Sequence, residues 1–328
     1  YGLDFEEIKE EDIINGAIEA DIPVFLHGKS SDGKSARVKA IDPDLTIIYL
    51  RNATPDSLNG KSVYNEKTGE MIDIKPTWLK KLEDKCNNEP NKNHILFFDE
   101  ITNAFPSIQG IAFNIILDKE VNGTWKLPKN ARIVAAGNEL SDSLAANELA
   151  EPLFNRFAHV YINTTTESWL KWASDNNIHP AIYSYIAYRN GETLRTKYNG
   201  ETPNADPRKW EMASNMLYKT GNPVMLRALV GEDVCRDFIK FCKIRVITID
   251  DVINNRYDIN FITNMDSSEK YATVLGLSQV KEDNFKIVRD FIKLLGSEFL
   301  TTFDNIWARN DINRLEMIAS ERLTKSMK

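Results

Sequence analysis

Gly28-Lys29-Ser30-Ser31-Asp32-Gly33-Lys34-Ser35 fits the pattern GxxxxGK[ST]. Glycines at such positions let the backbone curl until its N–H groups converge on one point. A helix opening at about Lys34 adds the partial positive charge of its first turn. Together they make a cradle for phosphate groups. Lys34 is then placed to bridge the β- and γ-phosphates of a nucleotide, and the Ser35 hydroxyl to ligate Mg²⁺. The plainer alternative is a Gly/Ser-rich loop in front of a helix. The apolar run 23–27 just before Gly28 favours the phosphate reading, because the motif needs a strand on one side and a helix on the other.

A second set of candidates begins 99 − 34 = 65 residues after Lys34, in His94-Ile95-Leu96-Phe97-Phe98-Asp99-Glu100. Asp99 closes an apolar run, and open α/β sheets bind ligands beyond the carboxyl ends of their strands. There it would hold Mg²⁺ through water, and Glu100 would act as a general base on the attacking water. Alone, an Asp-Glu strand end is also a common solubilising feature. Asn91-Lys92-Asn93-His94 lacks the aspartate that would read guanine, so adenine is the expected base. Asn138 follows another apolar run, where its amide could orient water or simply stabilise a turn. Arg156 lies at a helix end, either as a surface charge against the dipole or as a finger reaching a neighbouring subunit's phosphate.

These residues need a sheet to position them. The runs 23–27, 45–50, 95–98, 132–136 and 158–162 are apolar on both faces and separated by helical stretches, the pattern of buried parallel strands. Residues 12–20 suit a short helix. Ile108, Ile111, Ala112, Ile115 and Ile116 mark one face of another. Segments 62–75 and 121–127 interrupt the scheme with hairpin signals around Lys67-Thr68-Gly69 and Asn122-Gly123. After about Asn163 the helical pattern dominates, over 168–174, 180–189, 207–219, 233–242, 283–295 and 304–320. The expected division is a core over 1–163 and a mainly helical part over 164–328.

The chain of 328 residues is 42% hydrophobic and 27% charged, enough apolar material for a sizeable core. No apolar run approaches the ~20 residues of a membrane helix, so no membrane role is expected. A net charge of −7 disfavours a chain that mainly coats nucleic acid. Cys86, Cys235 and Cys242 form neither a disulfide framework nor a zinc set, which points to a reducing, cytoplasmic setting. Cys235 and Cys242, seven apart, read as two buried thiols on one helix face. His27, His94, His159 and His179 show no metal-ligand spacing, and the first two read as structural. Trp169 and Trp172 read as packing residues and 80–85 as a solvated helix face.

The ordered set GKSSDGKS, ILFFDE, AAGN, NRF and DPRKWE resembles an AAA+ ATPase over about residues 12–255. The hairpin segments, Pro76-Thr77-Trp78-Leu79, Trp169-Leu170-Lys171-Trp172 and Gly231-Glu232-Asp233-Val234 are similar to the MoxR-type branch. The resemblance implies a P-loop three-layer α/β/α core with a five-stranded parallel sheet, followed by a helical lid domain with a C-terminal extension. Residues 28–35 correspond to Walker A, Asp99 and Glu100 to Walker B, and Asn138 to sensor 1. Arg156 matches a trans-acting arginine finger. Arg208, on the first turn of a lid helix, matches sensor 2, in cis or in trans. Lys29, Ser30, Ser31 and Asp32 depart from the Pro-Pro and small residues frequent in relatives, and Asp32 adds negative charge near the phosphates.

The resemblance further implies ATP and Mg²⁺ as ligands and a homo-oligomeric, six-membered ring that remodels or activates a protein client, with a von Willebrand factor A domain adaptor. A nucleic-acid motor is the alternative. Its mark would be a basic hairpin, but Lys61, Lys67 and Lys75 alternate with Glu66, Glu70 and Asp73. A nucleotide-gated module without turnover would not need Glu100, Asn138 and Arg156 together.

Overall fold

The computed structural model describes residues 9–138, 149, 151–244, 246–309 and 311–326. The chain divides into two compact units, Tyr1–Thr164 and Thr165–Lys328. The described strands all lie in the first unit: β1 (Val24–His27), β2 (Thr46–Tyr49), β3 (Lys61–Asn65), β4 (Glu70–Ile74), β5 (His94–Asp99), β6 (Glu120–Val121), β7 (Trp125–Lys126), β8 (Ala131–Gly137) and β9 (Ala158–Tyr161). Its helices are α1 (Glu10–Glu19), α2 (Lys34–Ile41), α3 (Pro55–Asn59), α4 (Thr77–Asn88), α5 (Pro106–Asp118) and α6 (Glu151–Phe154).

Five strands make one parallel sheet in the order β2-β5-β8-β1-β9. Successive side chains leave a strand on opposite faces, and here both faces are covered. Val24, Leu26, Ile95, Phe97, Val134 and Ala136 pack with Ile14 and Ile18 of α1 and Val38 of α2. Phe25, Leu96, Phe98, Ile133 and Ala135 pack with Leu79 and Leu82 of α4 and Ile108, Ala112 and Ile115 of α5. This is why the runs read as apolar throughout rather than alternating. Burying each phenylalanine contributes roughly 1.5–3 kcal/mol.

Two antiparallel ribbons stand apart from the sheet, β3 with β4 and β6 with β7. Asn122 and Gly123 both adopt left-handed φ, 55° and 62°, as the tight β6–β7 turn requires. The Thr124 N–H closes that turn by donating to the Val121 carbonyl at 3.1 Å.

The second unit is helical: α7 (Thr166–Asp175), α8 (Pro180–Tyr188), α9 (Pro207–Thr220), α10 (Arg227–Val230), α11 (Glu232–Cys242), α12 (Ile249–Ile253), α13 (Ile259–Asn264), α14 (Ser267–Leu277), α15 (Phe285–Ile292), α16 (Ser297–Trp307) and α17 (Ile312–Ser326). One core gathers Trp169, Tyr185, Trp210 and Phe238. Another gathers Val274, Phe285, Val288, Phe303 and Trp307.

Two expectations need correction here, and one further helix had no reading. The helix expected over 304–320 is two helices, because the Asp311 carboxylate accepts the N–H groups of Asn313 and Arg314 and starts α17 afresh. Helix α14 escaped the periodicity reading. Ala272, Thr273, Val274, Leu275 and Leu277 are all buried, and a half-helix covered nearly all round shows no stripe. Cys242 is exposed whereas Cys235 is buried, since Cys242 is the last residue of α11.

Inside the second core, Arg289 of α15 donates from Nε and Nη2 to the two carboxylate oxygens of Asp304 on α16, each at 2.8 Å. Both side chains are under 5% exposed. Removing one partner leaves the other a buried charge without its bidentate mate. Asp304→Ala is expected to lower stability by about 3–5 kcal/mol, whereas the apolar pair Arg289→Met with Asp304→Leu costs far less. Urea unfolding of the three proteins checks this.

Candidate active site

Parallel strands bring their carboxyl ends to one edge, so the residues following β1, β5 and β8 meet there. The loop from Gly28 to Gly33 links β1 to α2. Ser31 and Gly33 hold left-handed φ of 69° and 74°, which curls the loop. Gly28 must lack a side chain, because a Cβ there would lie 2.7 Å from the Ile162 carbonyl. The Asp32 carboxylate is buried and accepts the Lys29 N–H at 2.7 Å.

Lys34, the first residue of α2, is only 8% exposed. Its ammonium donates to the carbonyls of Gly28 and Lys29, at 2.7 and 2.9 Å, and to Asn138 Oδ1 at 3.1 Å. The Ser35 hydroxyl donates to Asp99 Oδ2 at 2.9 Å, and Asp99 Oδ1 accepts the Glu100 N–H. Ser35 and Asp99 are hard oxygen donors side by side. Two such groups suit Mg²⁺, which keeps waters and takes phosphate oxygens for its remaining positions.

Glu100 adopts left-handed backbone angles, φ 57° and ψ 36°, uncommon outside glycine. Asn138 is fixed through its backbone: its N–H donates to Thr102 Oγ1 at 3.0 Å. Side-chain hydrogen bonds thus join Lys34 to Asn138 and, next to it, Ser35 to Asp99, with Glu100 directly following Asp99. Ser30 belongs to the same loop. Arg156 is exposed on the turn between α6 and β9. Arg208 is exposed on the first turn of α9, in the other unit.

Two participants had no motif to announce them. Arg51 lies 3.9 Å from Glu100 Oε2. It follows β2, whose last residue Tyr49 is register partner to Asp99, so only the adjacency of β2 and β5 identifies it. An exposed pair this long adds little stability, but it is a cation at the glutamate. Thr102 is the other. Its place in the turn after Glu100 is legible, whereas its contact with Asn138 depends on β5 lying beside β8.

A parallel sheet ordered β2-β5-β8-β1-β9, covered by helices on both faces and with a GxxxxGK[ST] loop between β1 and α2, is a P-loop three-layer α/β/α fold. No protein-family model matches the chain, and no curated protein does. Among solved structures, NtrX from Brucella abortus is 15% identical, over 92% of this chain and 69% of that one, with a TM-score of 0.40. Its complex with ADP is 14% identical, over 92% and 70%, with a TM-score of 0.41. A protein of Cytophaga hutchinsonii with a provisional ATPase assignment is 12% identical, over 89% and 79%, with a TM-score of 0.33.

Gly137 offers a test of how tightly the site is built. A Cβ there would lie 2.6 Å from Thr102 Cγ2 and 2.8 Å from Phe25 Cζ. Gly137→Ala is expected to destabilise the fold by about 1–3 kcal/mol through overpacking, measured as a shift in the urea midpoint.

Proposed function

We propose that this chain is a Mg²⁺-dependent ATPase of the AAA+ class, MoxR-type, that assembles as a ring and remodels or activates a protein client. The observation that carries the reading is the two adjacent hydrogen-bonded pairs, Lys34 with Asn138 and Ser35 with Asp99, at the mouth of the curled loop. With ATP in the loop, the Lys34 ammonium exchanges some of its oxygen partners for phosphate oxygens. Ser35 and Asp99 would hold Mg²⁺, whose charge offsets that of the phosphates. Glu100 takes the proton of the attacking water, and the Asn138 amide orients that water.

The cation needed on the far side of the γ-phosphate is assigned to Arg156 of a neighbouring copy. Its exposure supports that role, since a finger acting between subunits must protrude. Arg208 is assigned to sensing the nucleotide from the lid. The ring is proposed as a hexamer acting in the cytoplasm. Among the described residues no helix is long and apolar enough to cross a membrane.

A polypeptide client is supported by the β3–β4 ribbon. Tyr64 and Met71, register partners on one face, are each 62% exposed, and Val63, Ile72 and Ile74 are exposed on the other face. Apolar side chains exposed on both faces of a ribbon favour a binding surface for protein. With Lys61, Lys67 and Lys75 offset by Glu66, Glu70 and Asp73, the ribbon lacks the positive charge that nucleic acid requires. A von Willebrand factor A domain adaptor is proposed on the resemblance alone. ATPase stimulation by DNA or RNA, rather than by protein, would turn the assignment to a nucleic-acid motor.

Glu100→Gln retains the shape of the site and loses the base. ATP should still bind while single-turnover hydrolysis falls by about 10²–10⁴-fold; a wild-type rate would mean that another group activates the water.

A second experiment addresses the shared site. Turnover per subunit is expected to rise with protein concentration, and Arg156→Ala to remove that rise, within the roughly 10³–10⁵-fold that such fingers contribute. Mixing Arg156→Ala with Lys34→Ala chains should recover activity, because each supplies what the other lacks. No recovery in verified mixed assemblies rules out the trans role.

A further inference from the structure

His27 and His159 stand outside the chemistry assigned so far, yet they join its two halves. His27 ends β1 and directly precedes Gly28. Its Nε2 lies 2.7 Å from Nδ1 of His159 on β9. His159 Nε2 lies 2.8 Å from the carbonyl oxygen of Phe154, the last residue of α6. A carbonyl only accepts, so His159 Nε2 carries the proton and, in the neutral ring, Nδ1 is bare. His27 Nε2–H therefore donates to it. The bonds run in one direction, from the root of the phosphate loop to the helix end that precedes Arg156.

The rings have little freedom to turn. His27 stacks on Tyr161 at 4.4 Å and 11°, and His159 stacks on Phe154 at 3.9 Å. Burial, His159 and the Lys34 ammonium hold the His27 imidazole down to about 4, so it is neutral at pH 7. The Phe154 carbonyl also accepts the Phe157 N–H, and the Arg156 N–H donates to the Leu153 carbonyl, so the carbonyl that His159 grips is part of the turn that carries the arginine.

We propose that His27 and His159 are positioning residues that tie the phosphate loop to the Arg156 turn, so that a filled loop and an ordered finger occur together. This rests on the ATPase reading, which gives the loop and Arg156 their meaning. Nucleotide entering the loop restrains the backbone at Gly28 and with it His27. A hydrogen bond of 2.7 Å tolerates little stretching, so the restraint passes to His159 and on to the turn.

The test is hydrogen exchange on the full chain, diluted until sedimentation shows a monomer, with and without Mg-ATP. In the wild type, ATP is expected to slow exchange at the amides of 155–157 by roughly fivefold, a factor within reach of one hydrogen bond. His159→Phe preserves ring volume and stacking but cannot bond. It should bind ATP with near-normal affinity and lose the protection. If His159→Phe does not fold, His27→Leu serves in its place. His27→Gln, which can still donate to His159, should retain the protection, and a merely structural pair would not sort the variants this way. ATP bound with equal protection in wild type and His159→Phe, or with none in either, overturns the coupling while leaving the ATPase reading intact. Absence of ATP binding in the wild type overturns both.

Discussion

An ammonium group cut off from water needs oxygen around it, and Lys34 finds it in two carbonyls of its own loop and the amide of Asn138. Isolated burial of such a charge would be far too costly. The curl of the loop, the left-handed residues that permit it and the absence of a side chain at Gly28 all serve this arrangement. So does the strand order, which sets β8 beside β1 and so brings Asn138 within reach. The oxygens that satisfy the ammonium in the loop leave it aimed where a phosphate would compete for it.

The same edge of the sheet concentrates the remaining chemistry. Ser35 and Asp99 share one hydrogen bond, and the backbone of Glu100 is bound to the other oxygen of Asp99. Glu100 has a left-handed backbone and, among the described residues, one ion pair at its carboxylate, the distant Arg51. In the role proposed for it Glu100 must meet water, and its placement comes from the backbone rather than from strong side-chain bonds. Asn138 shows the complementary solution, fixed by its N–H to Thr102 while its side chain faces Lys34.

The two units handle polarity differently. The first buries an apolar sheet and projects exposed apolar side chains on the β3–β4 ribbon. The second buries a charge pair, Arg289 with Asp304, between helices whose packing is otherwise apolar. A bidentate pair tolerates few relative placements of α15 and α16, so it selects among packings more than it adds to stability.

Local signals in the sequence determined the phosphate loop, the Asp-Glu strand end and the five apolar runs of the parallel sheet. Each of these is written in neighbouring residues: glycine spacing, a dipeptide, a run without alternation. The second unit's longer amphipathic helices α9 and α11 were legible from their one polar face, whereas the short α12 and α13, and α14 with its second half largely covered, were not. Only the tertiary structure decided which strands lie side by side, and so which residues complete the site. Arg51 at Glu100, Thr102 at Asn138 and His27 at His159 are contacts between different strand ends, the last across 132 residues. No periodicity or motif encodes them, because they arise from packing two helical layers onto one sheet in a single order.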